Sequence, residues 1–137
     1  MKKKFIKRFT ITESNHIIIE CKLNNVESRF LLDTGASNSC VNYLSTEKFK
    51  ISLKKSDEKA SSATDNIDEI FYSKNNTLQI SHLKKTNFDI ILFDMNHINN
   101  SLKEKKIKRV DGIIGGDILT EYNAFIDYEK KILTLNL

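Results

Sequence analysis

The segment "RFLLDTGASNSC", residues 29–40, ends an apolar run on one aspartate, Asp33, and follows it at once with Thr34-Gly35-Ala36. An aspartate placed where a strand gives way to a turn, beside a glycine that lets other backbone come close, has the local form of a catalytic carboxylate. One solvated carboxylate is a weak catalyst. Two held together cannot both ionise, so they share a proton, and one acts as base on a water while the other acts as acid on a carbonyl oxygen. A second carboxylate is therefore required. Within the chain Asp94, Asp111, Asp117 and Asp127 are available, yet none follows an apolar run into a Thr/Ser-Gly turn. Asp111 reads as a turn residue before Gly112, Asp117 as a helix cap, and Asp94 and Asp127 as strand-end residues.

Other chemistries find less support. A serine or cysteine nucleophile needs a histidine base, and His16, His82 and His97 are far apart, in no suggestive context and in no zinc spacing. Cys21 and Cys40 are too few for a disulfide framework and have no paired metal spacing. The glycines at 35, 112, 115 and 116 fit neither a P-loop nor a dinucleotide-binding turn.

The elements that must position Asp33 are mostly strands. "HIIIECKLNN" (16–25) and "VESRFLLD" (26–33) are rich in β-branched and apolar residues, and Asn24-Asn25 between them is turn chemistry, so a hairpin is predicted to deliver Asp33 to the end of its second strand. "SCVN" (39–42) is a short strand, and 43–59 a polar surface loop with a short helical turn. "EIFYS" (69–73) and "NTLQIS" (76–81) flank a turn at Lys74-Asn75-Asn76, and "FDIILF" (88–93) is a strand. Residues 97–109 read as a mobile, charged connection. "RVDGIIGGDILTEY" (109–122) gives the apolar pair Ile113-Ile114, then two glycines, then Asp117 opening one short helix. "NAFIDYEKKILTLNL" (123–137) reads as a closing hairpin. The expected architecture is all-β, a closed barrel-like domain with one short helix in the C-terminal half.

A length of 137 residues suits one domain, 1–137, with residues 1–10 as a flexible lead-in. The net charge of +4 comes from lysines, with clusters at "MKKKFIKR" (1–8) and "LKEKKIKR" (102–109). Such clusters favour phosphate-rich partners electrostatically, although solvated tails and loop flanks are the plainer reading. Aromatics are not interleaved with basic residues into a stacking platform, so no nucleic-acid partner is expected. The start has no apolar core of a secretory signal and no run approaches a membrane span, which makes a cytoplasmic location, without membrane contact, the expectation.

"FLLDTGAS" followed at a distance by "DGIIGGDIL" resembles the retroviral-type, or retropepsin-like, single-domain aspartic proteases, in which an apolar-apolar-Asp-Thr-Gly-Ala/Ser segment precedes an apolar-apolar-Gly segment and a short helix. The similarity runs from His16 to the C-terminal strands. It implies an aspartic endopeptidase that works without metal or organic cofactor. Because Asp-Thr-Gly occurs once in a chain the size of one lobe, the resemblance also implies a homodimer, with Asp33 of both copies forming the catalytic dyad. Thr34 would then bridge the two loops, and Gly35 would point its amide at the carboxylate. Ala36 stands where a hydroxyl would favour the charged dyad, so activity is expected at mildly acidic to near-neutral pH. Cys40, Val41, Ile113 and Ile114, with Ala36, would line substrate subsites; core packing is the other reading of these apolar residues. The flap falls near "KASSATDNIDEIF" (59–71), where Asp65 or Asn66 would supply the turn that glycines make in the retroviral type. A catalytically inactive peptide-binding or dimerisation module on the same fold is the alternative.

Overall fold

Asn24 and Asn25 take φ values of 50° and 66°, the left-handed pair that a two-residue hairpin turn demands. The hairpin around them is the start of a closed barrel. The computed structural model describes residues 3–55 and 69–137. In chain order the elements are β1 (Lys4–Arg8), β2 (Thr10–Ile11), β3 (Ile17–Leu23), β4 (Val26–Leu32), β5 (Cys40–Asn42), a 3-10 turn (Tyr43–Ser45), β6 (Lys54–Lys55), β7 (Phe71–Ile80), β8 (Leu83–Phe93), α1 (Asn96–Glu104), β9 (Gly112–Ile114), α2 (Gly116–Glu121), β10 (Phe125–Asp127) and β11 (Ile132–Asn136).

The strand order β3-β4-β9-β5-β8-β7 returns to its start through β3–β7 pairing at Lys22↔Gln79 and Leu23↔Leu78, which removes the open edges a flat sheet would carry. Phe30, Val41, Leu78, Phe88, Ile90, Leu92 and Ile114 fill the interior. β9 runs parallel to β4 and antiparallel to β5, and their contact explains one glycine. A Cβ on Gly112 would lie 2.3 Å from the Cys40 carbonyl oxygen and 3.0 Å from the Phe30 ring. Among the described residues no helix is long and apolar enough to cross a membrane.

Three expectations need correction. Residues 97–109 are not a loose connection: α1 packs on the outer face of the barrel, where Met95, Leu102 and Val110 join Ile18, Leu31, Cys40 and Ile113 in a second apolar cluster. Leu102 is 3% exposed and Ile98 packs against the same cluster; burying a leucine contributes about 1.5–3 kcal/mol, which helps seat a helix whose other residues are polar. The domain thus has two α-helices among the described residues, not one. Lys74-Asn75-Asn76 does not turn the chain, because β7 runs through it with an irregular register. Asn75 takes φ 65°, and Asn76 is buried yet satisfied, donating to Ser73 Oγ and the Phe88 carbonyl and accepting from Asn24. Finally, the basic lead-in is a strand: β1 pairs with β11 from Lys4↔Asn136 to Arg8↔Ile132, and β10 flanks β11 on its other side.

Candidate active site

β4 delivers Asp33 to the mouth of the barrel, where the Asp33 amide donates to the Ile114 carbonyl of β9 at 3.0 Å. The side chain is half-buried. Its Oδ1 accepts a hydrogen bond from the Gly35 amide at 2.9 Å, which fixes the carboxylate against its own turn. A Cβ on residue 35 would come within 3.2 Å of the same oxygen, so glycine keeps that approach open. Thr34 is exposed at the tip.

The second motif holds the first. The Gly116 amide donates to the Ala36 carbonyl at 2.6 Å and the Asp117 amide to the Ser37 carbonyl at 3.1 Å. A Cβ on Gly115 would lie 2.6 Å from the Ala36 oxygen. Asp117 does more than cap a helix: its carboxylate accepts the Ser39 amide at 3.0 and 3.1 Å, the Ser39 hydroxyl at 2.7 Å and the Ile118 amide at 2.9 Å. Ser39 Oγ in turn accepts from the Gly115 amide at 2.9 Å. The Asp33 loop is therefore stapled at both ends to the β9–α2 corner. Nothing local in the sequence singles out Ser39, since its partner is 78 residues away.

The other aspartates are engaged elsewhere. Asp111 accepts from the Arg29 amide at 2.9 Å and pairs with Lys48 Nζ at 3.1 Å; Asp94 accepts from the Asn96 amide at the start of α1, and Asp127 from the Lys130 amide. Of the residues assigned to apolar subsites, Ala36 is half-buried. Cys40 and Ile113 lie beneath α1, while Val41 and Ile114, both 0% exposed, sit in the barrel core. What does open beside Asp33 is a groove of about 380 Å³ walled by Asn15, His16, Thr34 and Tyr128. His16 reads in the sequence as an ordinary surface or strand residue, and the β3–β4 hairpin, which pairs Ile17 with Leu32, sets it beside Asp33; its Nδ1 is held by Ser14 Oγ at 2.6 Å. Most of the flap segment, 59–68, lies outside the described residues. Among the described residues no group of three or more His, Cys, Asp or Glu side chains is placed to hold a metal ion.

Burial pushes the Cys21 thiol from an ordinary 9.0 up to about 12 and the Cys40 thiol to about 11, so both are protonated at neutral pH and neither is an activated nucleophile. The folded values being raised, the stabilising contribution is complete below about pH 9 and is lost as pH climbs toward 11–12, because the unfolded thiols ionise first. Urea midpoints are expected to fall between pH 8 and pH 10 by an amount equivalent to about 1 kcal/mol per thiol. Replacing both cysteines with alanine should flatten that slope.

The sequence profile of the aspartyl protease family matches residues 19–118. No curated protein matches the chain. Among solved structures, a retropepsin-like aspartic protease from Rickettsia conorii is similar with TM-score 0.63 and 19% identity over 99% of this chain and 92% of that one. The retroviral protease-like domain of Ddi1 from Leishmania major gives 0.62 and 18% over 88% and 87%. The EIAV protease complexed with the inhibitor HBY-793 gives 0.58 and 18% over 86% and 98%. At these identities the structural likenesses speak to the fold: mostly β, with a closed barrel and few helices.

Proposed function

We propose, for a chain that belongs to the aspartyl protease family, that it is an endopeptidase whose catalytic dyad is Asp33 from each of two copies. The observation that carries this reading is a single Asp-Thr-Gly loop whose aspartate is oriented by the Gly35 amide and clamped by Ser39 and Asp117, with the chain's other candidate carboxylates already partnered. A two-fold axis beside the loop brings the same carboxylate from the second copy to this one. The pair holds one proton. The ionised member takes a proton from a water whose oxygen bonds to the peptide carbonyl carbon, while the protonated member gives its proton to the carbonyl oxygen. Return of a proton to the nitrogen then breaks the C–N bond and releases amine and acid. Thr34 holds the two loops together across the axis, and Ala36 borders the bound peptide.

A catalytically inactive peptide-binding or dimerisation module on the same fold is the second reading, and one observation favours its dimerisation form: Cys40 and Ile113, assigned to the subsite wall, are packed in the apolar cluster under α1. Cleavage of an unbiased peptide pool from acid to neutral pH, over a dilution series, decides between them. The endopeptidase predicts cuts at mildly acidic to near-neutral pH whose rate falls faster than linearly on dilution. A folded dimer that cuts no peptide would establish the second reading, with peptide binding separating its two forms.

A further inference from the structure

A cleft of about 640 Å³ lies at the end of β4 opposite Asp33, lined by Arg29, Lys48, Lys108 and Arg109 together with Glu20, Glu27 and Asp111. Its charges do not cancel. Lys48 is committed to Asp111 at 3.1 Å, and Lys22, outside the cleft, stands 3.8 Å from Glu27. Among the described residues, that leaves Arg29, Lys108 and Arg109 facing Glu20, which stands across the β3–β4 ladder from Arg29. The Arg29 Nε is buried and has no hydrogen-bond partner among the described residues, an arrangement that costs free energy unless something fills it.

The cations are held in place. Arg29 and Asp111 lock β4 to the entry of β9 through reciprocal bonds, Arg29 amide to Asp111 Oδ2 at 2.9 Å and Asp111 amide to the Arg29 carbonyl at 2.7 Å. The segment after α1 is tied back by Asn99, whose side chain accepts from the Val110 amide at 2.8 Å and donates to its carbonyl at 3.2 Å. The backbone that carries Lys108 and Arg109, part of the basic cluster 102–109, is thereby fixed, and their exposed side chains line the same cleft as Arg29.

We propose that this cleft is a binding site for a phosphate-class dianion, seated on Arg29 and closed over by Lys108 and Arg109. The guanidinium fork suits two oxygens of one tetrahedral anion, and three cations against one carboxylate favour a dianion over a monoanion. The site is independent of the peptidase reading, because it uses no residue of the Asp33 loop.

Isothermal titration of the whole chain with inorganic pyrophosphate and inorganic phosphate, against sodium chloride and acetate at matched ionic strength, tests it. Saturable binding is expected for the phosphates, weakened at least tenfold in Arg29→Gln and in the double variant Lys108→Gln/Arg109→Gln, and unchanged in Lys130→Gln. Should Arg29→Gln fail to fold, the exposed double variant decides alone. No saturable binding beyond the chloride control, or equal binding in the double variant, overturns the site. Acetate binding as tightly as pyrophosphate overturns the dianion assignment.

Discussion

Asp33→Asn is expected to fold, to dimerise and to lose peptide cleavage by about 10²–10⁴-fold, the range that positioned acid–base groups supply. Asparagine has nearly the shape of aspartate and can still accept the Gly35 amide bond that orients the native side chain, so the loop has no reason to move. What disappears is the ability to hold and pass a proton. Mixing sharpens the test. If the dyad spans two copies, adding an equal amount of the Asp33→Asn variant and allowing exchange leaves one dimer in four with two aspartates, so activity per wild-type chain falls to about half. A dyad assembled within one chain would be indifferent to the mixture. Full activity after demonstrated subunit exchange would therefore sink the shared dyad even if the variant alone were dead.

The hairpin that carries Asp33 is legible because two local signals agree, the Asn24-Asn25 turn and the strands on either side. The helix α1 escapes a local reading for a physical reason, although the sequence contains a hint of it. Ile17-Ile18-Ile19 and Phe30-Leu31-Leu32 are continuous apolar runs, and such runs mark strands covered on both faces. Ile19 and Phe30 fill the barrel, so Ile18 and Leu31 need a cover outside it, and α1 is that cover. Its own apolar stripe is too thin to announce a helix among asparagines and lysines. β7 reads as two strands because an asparagine pair looks the same in a turn as in an irregular strand, and only the buried partners of Asn76 tell them apart. The site is half legible. Asp33, Thr34 and Gly35 are contiguous, whereas the clamp on them joins residues that only the closed fold brings together.

That clamp yields the second large effect. Asp117→Ala removes the acceptor for the Ser39 amide, the Ser39 hydroxyl and the Ile118 amide, and Ser39 is buried, where an unpaired donor costs about 1–3 kcal/mol. A loss of about 3 kcal/mol in folding stability is expected from urea unfolding. Cleavage should fall about 100-fold even where the protein is still folded, since the far end of the Asp33 loop is released and a displacement near 1 Å is enough for that. Asp117→Asn separates geometry from charge. Its oxygen can keep the Ser39 hydroxyl and the Ile118 amide, so about 1 kcal/mol is expected to be lost. If the alanine variant lost stability but cleaved normally at temperatures where it is folded, the clamp would serve the fold alone, and the Gly115 and Gly116 contacts to the Ala36 carbonyl would be what holds the Asp33 loop in place.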